Sequence, residues 1–128
     1  MSISIQELEK AVQSLNEAVV LYNTSNQEPQ KKAFRDAAIQ RFEFSIELSW
    51  KVSMKILGST TAAAKNAIRE MARNNLIDDP SQWLNFIDGR NETSHSYDDE
   101  VAKKVFTMVE NFLPFAEKLV QNLKSIPK

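Results

Sequence analysis

RFEFSIELSWKVSMKILG, residues 41–58, carries apolar side chains on more than one face of a helix. Ile39, Phe42, Ile46, Trp50, Met54 and Leu57 recur at steps of three and four and form one stripe, while Phe34, Phe44, Leu48 and Val52 lie off it. A helix that is apolar on two sides sits at the centre of its domain or is shared with another subunit. Upstream, Pro29 suits the first turn of this helix, and downstream Gly58 suits a left-handed C-cap. The span predicts a rod about 40 Å long at the standard rise per residue, beside which a second long helix must lie. On its surface Glu47 and Lys51 stand four apart in the favourable order, which predicts a solvated pair without chemistry of its own.

The flanking segments have the same period. Ile5, Leu8, Val12, Leu15, Val19 and Tyr22 line one face of a helix that stops in NTSNQEPQ. STTAAAKNAIREMARNN predicts a shorter helix capped by a serine or threonine, apolar at Ala64, Ala67, Ile68 and Met71. In DDPSQW, Asp79 reads as an N-cap, Pro80 as the first helical residue and Gln82 as the capping-box position. The helix that follows carries Trp83, Leu84, Phe86 and Ile87 and is expected to fade between Gly89 and Thr93. A last helix begins at Tyr97 or Asp98 with Val101, Val105, Met108, Phe112, Phe115 and Leu119 on one face. Asp98, Asp99 and Glu100 complement the positive end of its dipole, and Pro114 is expected to kink it without ending it. These elements predict an all-α, antiparallel up-and-down helical bundle with two long helices and two or three shorter ones, one domain over residues 1–128.

Composition removes most function classes. The 128 residues are 42% hydrophobic and 26% charged, contain two glycines and lack cysteine, so disulfide frameworks, zinc knuckles and thiol catalysis are excluded. The N-terminus lacks an export signal, and no apolar run approaches the ~18 residues needed to span a bilayer. The cytoplasm is the expected location, with no membrane partner. A net charge of −1 provides no global attraction for phosphates, so any contact with RNA needs a local basic surface. Lys65, Arg69 and Arg73 on the third helix form one candidate for RNA or a partner protein, the alternative being a solvated helix face. No glycine-rich phosphate loop or serine-hydrolase motif is present, which disfavours a nucleotide carrier. Asp98, Asp99 and Glu100 are better explained as helix-start residues than as metal ligands, so no metal or other cofactor is expected.

The remaining chemistry lies in GRNETSHSY, residues 89–97, which holds the single histidine. An imidazole can take a proton near neutral pH, and a guanidinium can hold the extra negative charge on pentavalent phosphorus. Arg90 and His95 therefore suit attack of a ribose hydroxyl on its neighbouring phosphate without a metal. The two would not share a face of one continuous helix, so a break between them belongs to the reading. One histidine does not easily serve as base and acid in one turnover, whereas two copies facing each other in a homodimer could. The alternative is that both residues only bond helix-terminal carbonyls or lie in solvent.

RFEFSIELSWKVSMKILG and WLNFIDGRNETSHSYDDEVA, residues 83–102, together resemble the two characteristic segments of the nucleotidyltransferase substrate-binding proteins, a branch of the HEPN superfamily. The resemblance covers nearly the whole chain and includes the R-x-x-x-x-H-x-Y pattern. It implies a homodimeric bundle produced with a separate small nucleotidyltransferase, whose glycine-serine and paired-aspartate pattern is absent from this chain. In HEPN toxins with this pattern, the arginine and histidine form a metal-independent ribonuclease site and the partner attaches AMP to the tyrosine to silence it. Carried over, these roles fall on Arg90 and His95 as catalytic residues, Asn91 as a supporting polar group and Tyr97 as the modified residue. The alternative is a non-catalytic substrate-binding or adaptor subunit of the nucleotidyltransferase.

Overall fold

The computed structural model describes residues 4–127. Five α-helices follow one another: α1 (Ile5–Thr24), α2 (Glu28–Leu57), α3 (Ala64–Arg73), α4 (Pro80–Glu92) and α5 (Asp99–Lys124). A single 3-10 turn, Thr93–His95, joins α4 to α5. The all-α up-and-down bundle with two long helices is the architecture the periodicity predicts.

α2 is central, since it packs against every other element. Phe42, Ile46 and Val52 are fully or almost fully buried, and Leu48 and Trp50 are buried as well. Phe44, by contrast, is 59% exposed. A cluster of aromatic rings fills the core where α2, α4 and α5 meet. The Phe112 ring lies edge-on to Phe42 at 5.1 Å, Phe86 at 5.2 Å and Trp83 at 5.6 Å between centroids. Such edge-to-face pairs set the positive ring edge against the negative face and prefer these separations.

Helix ends are closed by local devices. Gly58 adopts φ 70°, and the Ser59 N–H donates to the Met54 carbonyl while the Gly58 N–H donates to Lys55, a Schellman closure of α2. The same closure ends α3 with Asn75 at φ 62° in the glycine position, its N–H donating to Ala72 and that of Leu76 to Met71. Asp79 caps α4 by accepting from the Gln82 N–H, as DDPSQW predicts. α5 runs on through Pro114, which deprives only the Glu110 carbonyl of its usual helical donor.

One local expectation is corrected. α3 begins at Ala64 with Ala63 at the cap position and no side-chain cap. The hydroxyls that would have capped it are engaged in the preceding segment: Ser59 donates to Glu70, and Thr61 accepts from the Asn66 amide and the Ala63 N–H. α4 ends at Glu92, within the expected range of Gly89 to Thr93. At Gly89 the Met108 thioether of α5 fills the space that a methyl on α4 would take.

Replacing Phe112 by alanine empties the space shared by three other aromatic rings and is expected to cost about 3–5 kcal/mol in urea unfolding. Asn75→Ala places a methyl side chain in a left-handed conformation and is expected to cost about 1 kcal/mol, whereas Asn75→Gly should carry no such penalty.

Candidate functional site

The junction between α4 and α5 is short and closed by local hydrogen bonds. The Thr93 hydroxyl, on a residue only 5% exposed, donates to the Arg90 carbonyl at 2.7 Å and closes the end of α4. The Ser94 hydroxyl donates to the Asn91 carbonyl, and the Ser96 and Asp98 N–H groups donate to Thr93 and His95. Asp98 then caps α5 by accepting from the N–H groups of Glu100 and Val101. Buried Arg35 of α2 donates to the Asp99 carboxylate at 3.2 Å, fixing the first turn of α5 against the bundle. Thr93 is turned inward, whereas Ser94, His95 and Tyr97 are exposed.

The break required between Arg90 and His95 is present. Arg90 lies in the last turn of α4 and His95 ends the 3-10 turn. His95 and Asn91 are exposed, and the Tyr97 ring is 85% exposed, 6.3 Å from the His95 ring between centroids. Among the described residues the Tyr97 hydroxyl has no hydrogen-bond partner, so it stands in solvent.

Arg90 faces elsewhere. Its Nε lies 3.8 Å from Glu47 Oε1 on α2, and the other oxygen of that carboxylate lies 3.5 Å from Lys51. The surface pair expected from the i, i+4 spacing exists, but it is joined to the motif arginine, a link that periodicity does not reveal. Arg90 borders a groove of about 480 Å³ whose other walls are Gln40, Glu43, Phe44, Glu47, Leu48 and Lys51. His95 is not one of its walls.

Of the basic stripe on α3, Lys65 is bound to Asp88 of α4 at 2.7 Å, bracing the two helices. Arg69 and Arg73 pair with no carboxylate among the described residues. No group of three or more His, Asp or Glu that could hold a metal occurs among the described residues, and no helix there is long and apolar enough to cross a membrane.

Asp98→Ala leaves the first N–H groups of α5 without their acceptor and is expected to cost about 1 kcal/mol in urea unfolding, with Asp98→Asn close to wild type.

Comparison with known proteins identifies the family and the fold. The chain is 33% identical, over 135 aligned residues covering 95% of it and 92% of the relative, to a Haemophilus influenzae (strain Rd) protein named "Probable ribonuclease HepT". A solved Haemophilus influenzae structure, described as revealing the fold of a substrate binding domain of a nucleotidyltransferase, superposes with a TM-score of 0.85 at 30% identity, covering 94% of this chain and 99% of the other. A Thermus thermophilus structure superposes at 0.78 with 29% identity, covering 91% and 98%. Residues 3–125 match the model of the family described as "Nucleotidyltransferase substrate binding protein like", and the chain belongs to that family.

Proposed function

We propose that this protein is the HEPN partner subunit of a separate small nucleotidyltransferase, acting as the toxin of a two-gene pair by cutting RNA without a metal. The observation that carries the reading is the α4–α5 junction itself: a helix break that separates Arg90 from His95 while leaving the Tyr97 hydroxyl in solvent. The family and the likeness to a protein named as a ribonuclease support it.

In this reaction the His95 imidazole removes the proton of a ribose 2′-hydroxyl, whose oxygen attacks the adjacent phosphorus. The phosphorus–5′-oxygen bond breaks, leaving a cyclic 2′,3′-phosphate on one fragment. The leaving oxygen takes a proton from the His95 of a second copy, since one imidazole does not easily play both parts in one turnover. Arg90 holds the added charge on the phosphoryl oxygens, and Asn91 supports it as an exposed polar neighbour. Phe44, exposed beside the groove that Arg90 borders, gives such a second copy an apolar surface to cover. The nucleotidyltransferase silences the site by joining the α-phosphorus of ATP to the Tyr97 oxygen, releasing pyrophosphate. The attached AMP then places negative charge where the RNA phosphate must sit, beside the start of α5.

The experiment is cleavage of RNA by protein purified without its partner, in excess chelator. Wild type should cut, His95→Ala should lose on the order of a hundredfold or more, and Arg90→Ala should fall with it. Intact RNA, or cutting indifferent to both substitutions, rejects the ribonuclease reading. The family description as substrate-binding proteins favours one rival, a non-catalytic adaptor for the transferase. That rival is identified by loss of transferase binding in His95→Ala together with absence of nuclease activity in wild type. Phe44→Glu is expected to convert a dimer to a monomer in sedimentation equilibrium, with its helical circular dichroism unchanged.

A further inference from the structure

Glu47 has no place in the reaction just described, yet it is the carboxylate that faces the proposed charge stabiliser. The approach is lopsided. Arg90 Nε is 3.8 Å from Glu47 Oε1, too far for a hydrogen bond, and it is buried without an acceptor. The side chain as a whole is 34% exposed. A guanidinium is a rigid fork of five donors, so the direction taken by its Nε edge dictates where its two terminal amino groups point. A buried donor without an acceptor is normally costly, and it is held here by charge attraction and the packing of the α2–α4 contact.

We propose that Glu47 is the positioning residue for Arg90: its carboxylate draws the Nε edge against α2 and leaves the terminal amino groups free for a phosphoryl oxygen. This rests on the ribonuclease reading for its consequence but not for its geometry. Lys51 has a supporting part. Bound to the other carboxylate oxygen at 3.5 Å and one helical turn further along α2, it restrains the rotation of Glu47 and leaves Oε1 directed at Arg90. The carboxylate is thereby shared between two cations, and neither makes a tight pair with it. Arg90 is steered without being neutralised by a close two-pronged bond, which would occupy the donors that a phosphate needs.

Glu47→Gln and Glu47→Ala test this, because the side chain is partly exposed and both variants should fold. The first readout is the NMR signal of the Arg90 Nε–H, which in wild type should exchange slowly with water. Both substitutions should shift it and speed its exchange while leaving the thermal midpoint unchanged. The second is the kinetics of RNA cleavage. Glu47→Ala and Glu47→Gln should lower kcat by about ten- to a hundredfold with KM within about twofold, as expected for a misplaced stabilising group. In an Arg90→Ala background, removing Glu47 should cost nothing further, because its effect passes through the arginine. An unchanged Nε–H signal overturns the proposal, as does a Glu47 effect that multiplies with that of Arg90→Ala. Active wild type with Glu47 variants of equal kcat overturns it while leaving the ribonuclease reading intact. If wild type leaves RNA whole, the ribonuclease reading fails, and the pairing of Glu47 with Arg90 stands or falls on the Nε–H signal alone.

Discussion

The contact on which the rest of this bundle depends is the four-ring cluster formed by Phe42, Trp83, Phe86 and Phe112. It joins one residue of α2, two of α4 and one of α5, and Phe115 adds a further edge-on contact to Phe86 at 5.4 Å. α4 is only 13 residues long, too short to be a stable helix alone, so its orientation comes from this cluster. Phe86 and Arg90 are four residues apart and share a face. Fixing the rotation of α4 at Phe86 therefore directs Arg90 toward α2, where Glu47 waits. Gly89 completes the arrangement by letting the Met108 side chain lie where a larger residue would exclude it. The glycine next to the arginine is thus explained by helix packing.

The junction carries this packing to the proposed site. A flexible loop between α4 and α5 would let His95 and Tyr97 wander, at an entropic cost each time they were aligned. The turn instead commits its backbone groups to its own closure, with the Thr93 hydroxyl on the Arg90 carbonyl and Asp98 on the first N–H groups of α5. Arg35 ties the beginning of α5 down from a third direction. Rigid backbone and exposed side chains coexist at this point, the combination a site needs if it is to meet RNA on one occasion and a modifying partner on another.

Much of the fold was legible in the sequence because the signals involved are local. Asp79 and Asp98 cap helices whose first turns lie within three residues of them, and Gly58 closes α2 through carbonyls one turn away. The start of α3 was not legible for the same reason reversed. Ser59, Thr60 and Thr61 look like caps, but Ser59 is drawn to Glu70, eleven residues on, and Thr61 to the Asn66 side chain. Asn75 was passed over because asparagine is a weaker sign of a left-handed residue than glycine, although it performs the same task as Gly58. At the site, the break between Arg90 and His95 could be read from spacing. The link between Arg90 and Glu47 could not, since it exists only once the aromatic cluster has turned α4 against α2.

The cations of the molecule are distributed in a way that bears on how it would treat RNA. Lys65 is committed to Asp88, Lys118 to Asp78, Lys124 to Glu9 and Arg35 to Asp99 and Asp36. The Asp78 carboxyl is held below the usual carboxylate range by its bond to Lys118, so that surface pair persists into acid. A net charge of −1 gives the protein no overall field to gather a polyanion. Arg69 and Arg73, which pair with no carboxylate among the described residues, and the partly engaged Arg90 are among the local sources of attraction. A protein built this way would grip RNA weakly over its length, and its preference for a cutting point would rest on how well one phosphate fits beside Arg90. On the proposed ribonuclease reading, steering that single guanidinium then matters more than adding basic surface, and Glu47, a negative charge beside the proposed anion site, is an aid to catalysis rather than an obstacle to binding.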